Sequence, residues 1–353
     1  MLNIIKYDDM VSIMSLFIFM AFLISALSMP VIIKVCKKLS LYDYVNARKI
    51  HSGNIPRIGG IGIALAFFVC SAFYLKNNHQ VSLMLNIPVL CAGLIIFVFA
   101  FLDDMHNFHA SVKLAAQLTA CGIIMFNDFR FTQILGWHLP FWFSHLLTFC
   151  WILGLINAYN LIDGMDGLCG TLSFTAGIVI GVINILSNNP IAGVCFIFSA
   201  SIAGFLLFNK PPAKIFMGDC GSQFLGFIIA ILPLYPTRPD IEYNKFFIMI
   251  AITALPVFDT IAAIWRRIRD KKPLMSGDCC HLHHKLISMQ KSKIKALFFI
   301  DFVQLCVCAG AIASTYLDRN KGLILLLAII ALEIIFFSIV HFSYYKVTRE
   351  SNN

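Results

Sequence analysis

Apolar residues recur along this chain in long runs separated by short polar segments. A helix that crosses a bilayer needs about 20 mostly apolar residues. By that measure the pattern predicts eleven transmembrane helices, at roughly 11–33, 58–75, 83–102, 111–127, 141–159, 169–187, 190–208, 222–236, 246–265, 296–316 and 322–345. The runs 111–127 and 222–236 are the shortest for their task. No repeat, low-complexity tract or detachable polar region interrupts the series, so residues 1–353 read as one integral membrane domain. The first run follows Asp8 and Asp9 and has no small-residue cleavage site after it, which reads as a retained span rather than a signal peptide. The expected fold class is all-α and polytopic.

Composition supports the same class. The chain is 59% hydrophobic and 13% charged, whereas an ordinary soluble domain carries about 25% charged residues. The net charge of +9 has a topological explanation and does not point to nucleic acid. Lys and Arg gather in the cytoplasmic loops of membrane proteins. Here 20 of the 27 basic residues fall in alternate loops on one side, chiefly 34–57 and 266–295. That bias predicts an outside N-terminus and a cytoplasmic C-terminus. Cys70, Cys91, Cys121, Cys150 and Cys195 lie inside apolar runs, where cysteine packs as a small hydrophobe.

Candidate chemistry is one-sided. The dense polar clusters all lie on the predicted cytoplasmic side, whereas a transport pathway places ionisable residues mid-span or on both faces. This arrangement suits an enzyme that joins a lipid to a water-soluble cosubstrate. Asp103 and Asp104 end the third run. Neighbours on a helix diverge by about 100°, so one is expected to face the site and the other to orient a partner. Asp163 and Asp166 end the fifth run among Gly164, Gly167 and Gly170. If helical, their spacing puts both on one face. Asp219 stands between Gly218 and Gly221, ahead of Ser222 at the expected helix start. Helix-start amides bind phosphate, and a lone exposed carboxylate suits magnesium; an ordinary start capped by Ser222 is the plainer reading.

Asp259 interrupts the ninth run, which leads into Arg266, Arg267 and Arg269 and then the segment SGDCCHLHHKL over 276–286. Cys and His together suggest zinc. Structural zinc ligands, however, are separated by two to four residues, whereas Cys279 and Cys280 are adjacent, as are His283 and His284. Hydrogen bonding to a diphosphate, or acid–base work, suits imidazoles in such basic company.

In order along the chain stand D-x-x-N-x-R-K-x-H with G-G, then D-D, N-x-x-D-G-x-D-G, F-x-G-D-x-G-S, P-x-x-D, R-R and H-x-H-H. The chain thereby resembles, over nearly its whole length, the polyprenyl-phosphate N-acetylhexosamine-1-phosphate transferases (glycosyltransferase family 4). H-x-H-H after the arginines looks like the bacterial branch that uses UDP-N-acetylglucosamine. The resemblance implies magnesium-dependent attack of undecaprenyl phosphate on the β-phosphorus of that nucleotide sugar, with UMP released; manganese is the substitute ion. It also implies a membrane-lipid environment, and it leaves a homodimer open. Asp219, Asp163 and Asp104 match metal positions. Asp103, Asp104, Asp163, Asp166 and Asp219 match the catalytic acids. Lys49, His51, Lys113, Asn160, Phe216, Arg266, Arg267, His281, His283 and His284 match substrate-binding positions. The chain departs from the pattern at Gly277-Asp278-Cys279, where relatives carry Pro-Asp-Arg, and so lacks one guanidinium fork.

Overall fold

A computed structural model describes residues 2–43, 55–78, 83–273, 280–290 and 292–352. In chain order the elements are α1 (Leu2–Lys38), β1 (Tyr42–Asp43), β2 (Ile55–Pro56), α2 (Gly60–Asn77), α3 (Leu83–His106), α4 (Ala110–Phe126), β3 (Gln133–Ile134), β4 (Trp137–His138), α5 (Phe141–Ile162), α6 (Leu168–Leu186), α7 (Ala192–Asn209), α8 (Gly218–Ile231), α9 (Pro239–Arg269), α10 (Leu282–Gln290), α11 (Lys293–Ser314) and α12 (Arg319–Asn352). Each of the eleven apolar runs falls on a helix. Two antiparallel two-residue pairs, β1 with β2 and β3 with β4, are small additions to an otherwise helical fold.

Among the described residues, nine helices are long and apolar enough to cross a membrane. The chain is a polytopic membrane protein. The two runs of doubtful length are the two shorter apolar helices, α4 and Gly218–Leu234. Packing explains why α8 is short. It is surrounded by α2, α3, α5 and α6, and every residue from Cys220 to Ile231 is buried. A helix of 14 residues is about 21 Å long, less than the roughly 30 Å hydrocarbon layer. Being sheathed by longer helices, it has no lipid to match. The outer helices α1 and α12 instead turn Phe19, Leu27, Ile324 and Phe342 outward. Such a surface is stable only against acyl chains.

Phe67 of α2, Phe198 of α7 and Phe224 of α8 fasten the centre, with edge-on ring pairs at 6.0 and 5.5 Å. Pro30, Pro88 and Pro256 lie inside α1, α3 and α9. Membrane helices tolerate such residues where neighbouring helices satisfy the freed backbone groups. This core positions the N-terminal ends of α2, α4, α6 and α8 at one end of the bundle, where the polar clusters meet.

Candidate active site

The end of α3 and the start of α8 form the site's rigid floor. Asp103 and Asp104 diverge as their helical spacing requires. Asp104 reaches α8, where its Oδ2 accepts from the Cys220 amide at 2.9 Å and its Oδ1 from the Asp219 amide at 3.2 Å. First-turn amides have no partner within their own helix, and a negative charge there opposes the positive helix end. Asp104 therefore caps α8 from another helix. Gly218 makes room for it: its φ is +75°, and a Cβ there would lie 2.7 Å from Asp104 Oδ2. Arg57 donates to the Asp104 backbone carbonyl, adding a third tie.

These contacts correct one expectation. The helix starts at Gly218 rather than at Ser222, and Ser222 is not its cap. The Ser222 hydroxyl donates to Asn160 Oδ1 at 2.8 Å, joining α8 to the last turn of α5. The amides considered above for phosphate are the ones that Asp104 engages.

Asp103 is buried and paired. Its Oδ2 lies 2.5 Å from the Lys113 Nζ, and its Oδ1 accepts from the Phe108 amide at 2.7 Å. Lys113 also reaches Asp219 Oδ2 at 2.9 Å. One ammonium thus joins carboxylates from α3 and α8. Of the two, Asp219 is open, with about a third of its side chain exposed.

Beside this floor runs the turn between α5 and α6. Residues 163–167 are non-helical, so Asp163 and Asp166 do not share a helix face, as their spacing suggested. Asp163 ends α5 and is half-buried. Asp166 is buried and accepts from the Ala213 amide at 3.1 Å. Asn209 accepts from the Gly167 amide at 2.9 Å. These bonds fasten the turn to the segment before α8 and to the end of α7. In that segment Phe216 is half-buried, and its backbone pairs with Pro56 and Gly59 at 2.7 and 2.8 Å.

The histidines close the other side. Asp259, buried in α9, accepts from the Leu282 amide at 2.8 Å and lies 2.7 Å from His281 Nδ1. It therefore holds both the first imidazole and the start of α10. His283 lies directly on Gly164, where a Cβ would collide with its ring. His283 and His284 pack as tilted rings with centroids 4.3 Å apart. Arg266 and Arg267 are buried at the C-terminal end of α9. Lys49, His51 and Cys279 lie outside the described residues.

His283 is 1% exposed, and neither of its ring nitrogens has a hydrogen-bond partner among the described residues. Burial, helped by His284, pushes its pKa down from 6.5 to about 3. The unfolded chain therefore binds a proton that the folded chain refuses between those values, and stability rises with pH across that window. Thermal melting in detergent should show a lower midpoint at pH 5 than at pH 7.5. His283→Phe should narrow that difference; an unchanged gap would refute this source of acid sensitivity.

Sequence reasoning grouped neither Asp259 with His281 nor Arg57 with Asp104. It also passed over a buried amide chain in which Asn157 donates to Gln117 and Gln117 to Gln223, each at 3.1 Å. The available signal was an uncharged amide inside an apolar run, which in a membrane core seeks a partner on another helix.

Among the described residues, no group of three or more His, Cys, Asp or Glu side chains is arranged as a ready metal cage. The oxygen donors still fit a hard divalent ion. Magnesium keeps several waters and uses one or two carboxylates together with substrate phosphates, and Asp219 is both carboxylate and open.

Comparison with known proteins matches the chain to a family. Residues 86–237 match the model of "Glycosyl transferase family 4". The chain is 33% identical to a probable undecaprenyl-phosphate N-acetylglucosaminyl 1-phosphate transferase of Bacillus subtilis, over 81% of this chain and 82% of that one. It is 31% identical to the undecaprenyl-phosphate alpha-N-acetylglucosaminyl 1-phosphate transferase of Escherichia coli K12, covering 80% and 77%. To the Yersinia pestis protein of the same name it is 34% identical, covering 75% and 74%. With its acidic floor, its histidine loop and its membrane bundle, the chain belongs to glycosyl transferase family 4, among the polyprenyl-phosphate N-acetylhexosamine-1-phosphate transferases.

Proposed function

We propose that this enzyme transfers N-acetylglucosamine 1-phosphate from UDP-N-acetylglucosamine to undecaprenyl phosphate. The carrying observation is the convergence, at one end of the bundle, of the Asp103–Lys113–Asp219 bridge with the Asp259-held histidines across the 163–167 turn. A lipid phosphate at the membrane edge and a soluble nucleotide sugar need such a meeting point. The lipid phosphate oxygen forms a bond to the β-phosphorus. The bond from the β-phosphorus to the bridging oxygen breaks, and that oxygen leaves with the electron pair as part of UMP.

Asp219 and Asp163 would hold magnesium, and Asp104 can reach it through the second lone pairs of its oxygens. The ion would neutralise the diphosphate and polarise the phosphorus under attack. Asp104 keeps α8, and with it Asp219, in a fixed place. The lipid phosphate has a second pKa of about 6, so it is largely dianionic at neutral pH. It needs little help from a base, and in-line positioning carries most of the work. Lys49, His51 and Lys113 serve the phosphate side, and Asn160 and Phe216 the nucleotide. Arg266 and Arg267 serve the diphosphate. His281, His283 and His284 serve the diphosphate and amino sugar.

The reading includes eleven crossings, an outside N-terminus, and a cytoplasmic C-terminus and site. Purified protein given labelled UDP-N-acetylglucosamine and undecaprenyl phosphate should release UMP and label the lipid only with magnesium or manganese. Terminal tags should be accessible on opposite membrane faces. No labelled lipid from any UDP-N-acetylhexosamine would refute the activity, and tags on one face would refute the topology.

A further inference from the structure

We propose that Lys113 is an exchangeable counter-ion: its ammonium and the divalent cation compete for Asp219, and metal loading releases Lys113 toward substrate phosphate. The inference rests on the transferase reading above and adds to it a role for one side chain.

The geometry carries the argument. Lys113 Nζ lies 2.5 Å from Asp103 Oδ2 and 2.9 Å from Asp219 Oδ2. A magnesium ion binds carboxylate oxygen at about 2.1 Å, so an ion on Asp219 would stand within a few ångströms of the ammonium. Two cations that close, in a half-buried site, repel strongly. The two carboxylates differ in access. Asp103 is 6% exposed and also holds the Phe108 amide, whereas Asp219 is 34% exposed. The open partner is the one that an ion would take, and the buried partner is the one that would keep the lysine.

Lys113 also sits in the first turn of α4, where the helix dipole disfavours a cation. Its position is therefore set by the carboxylates and not by its own helix. A lysine suits exchange, being a compact point charge on a flexible stem with freely rotating donors. Released from Asp219, it can swing about Asp103 with no backbone movement. Its charge then becomes available to phosphate at the moment when the metal has neutralised the acid.

Calorimetric titration of magnesium into detergent-solubilised protein without substrate reads this competition. Lys113→Met should bind magnesium roughly tenfold tighter than wild type, and Lys113→Arg should stay close to wild type. Lys113→Met should nevertheless turn over more slowly. Unchanged or weaker magnesium binding by a folded Lys113→Met overturns the proposal. Should that variant not fold, amine acetylation of wild type followed by mass spectrometry replaces it. Magnesium should increase labelling of Lys113; equal or reduced labelling overturns the proposal. UMP release by wild type tests the underlying reading separately. Release together with unaltered magnesium affinity in Lys113→Met removes only the counter-ion role, and no release removes the reading beneath it.

Discussion

Asp219→Asn should lower turnover about 1,000-fold, which corresponds to roughly 4 kcal/mol of lost transition-state stabilisation. Asp103→Ala should cost far less, on the order of tenfold. The difference follows from what each carboxylate does. Asp219 is the open acid at the start of α8. Its carboxylate supports no buried packing, so its loss falls on the reaction rather than on the fold. Asp103 pairs with Lys113 and the Phe108 amide from a buried position. In a reaction whose nucleophile is already a dianion, a base has little left to contribute. The check is magnesium-dependent UMP release, measured for both variants at saturating substrates. Equal and complete loss at both sites would refute this ranking. So would an Asp103→Ala defect that only a carboxylate repairs.

Asp259→Ala should be the most damaging change outside the acidic floor. It removes the acceptor for the Leu282 amide and the partner of His281 together. Asp259 is 2% exposed and His281 5%, so water does not replace either bond. Breaking a buried, hydrogen-bonded pair of this kind costs about 3 kcal/mol. The histidine loop should loosen, with a lower melting midpoint in detergent and a raised KM for the nucleotide sugar. Asp259→Asn keeps an acceptor for the Leu282 amide and should lie between Ala and wild type on both measures. An unchanged KM and midpoint in Asp259→Ala would show that the histidines are placed without it.

The membrane bundle was legible because span formation is a local property. Twenty apolar residues in sequence carry their own signal, and even the two short runs marked the two short helices. The acidic motifs were legible as candidate sites because carboxylates beside apolar runs are expensive unless something engages them. Local spacing misled at Asp163 and Asp166. Three-residue spacing suggests a helix face, but the backbone between them is a turn stitched to another loop through Asp166 and to the end of α7 through Asn209. It also misled at Ser222, because the cap of α8 comes from Asp104, more than a hundred residues earlier.

By itself the sequence determined the fold class, the order of the apolar helices, and the gathering of acidic residues at their ends. Those follow from composition and from the alternation of apolar runs with charge. Tertiary structure alone decided which acid caps α8, which shares the lysine, and which holds the histidines. Each of these is a pairing of single side chains brought from distant helices. Such pairings depend on how the bundle packs, and they leave no periodic trace along the chain.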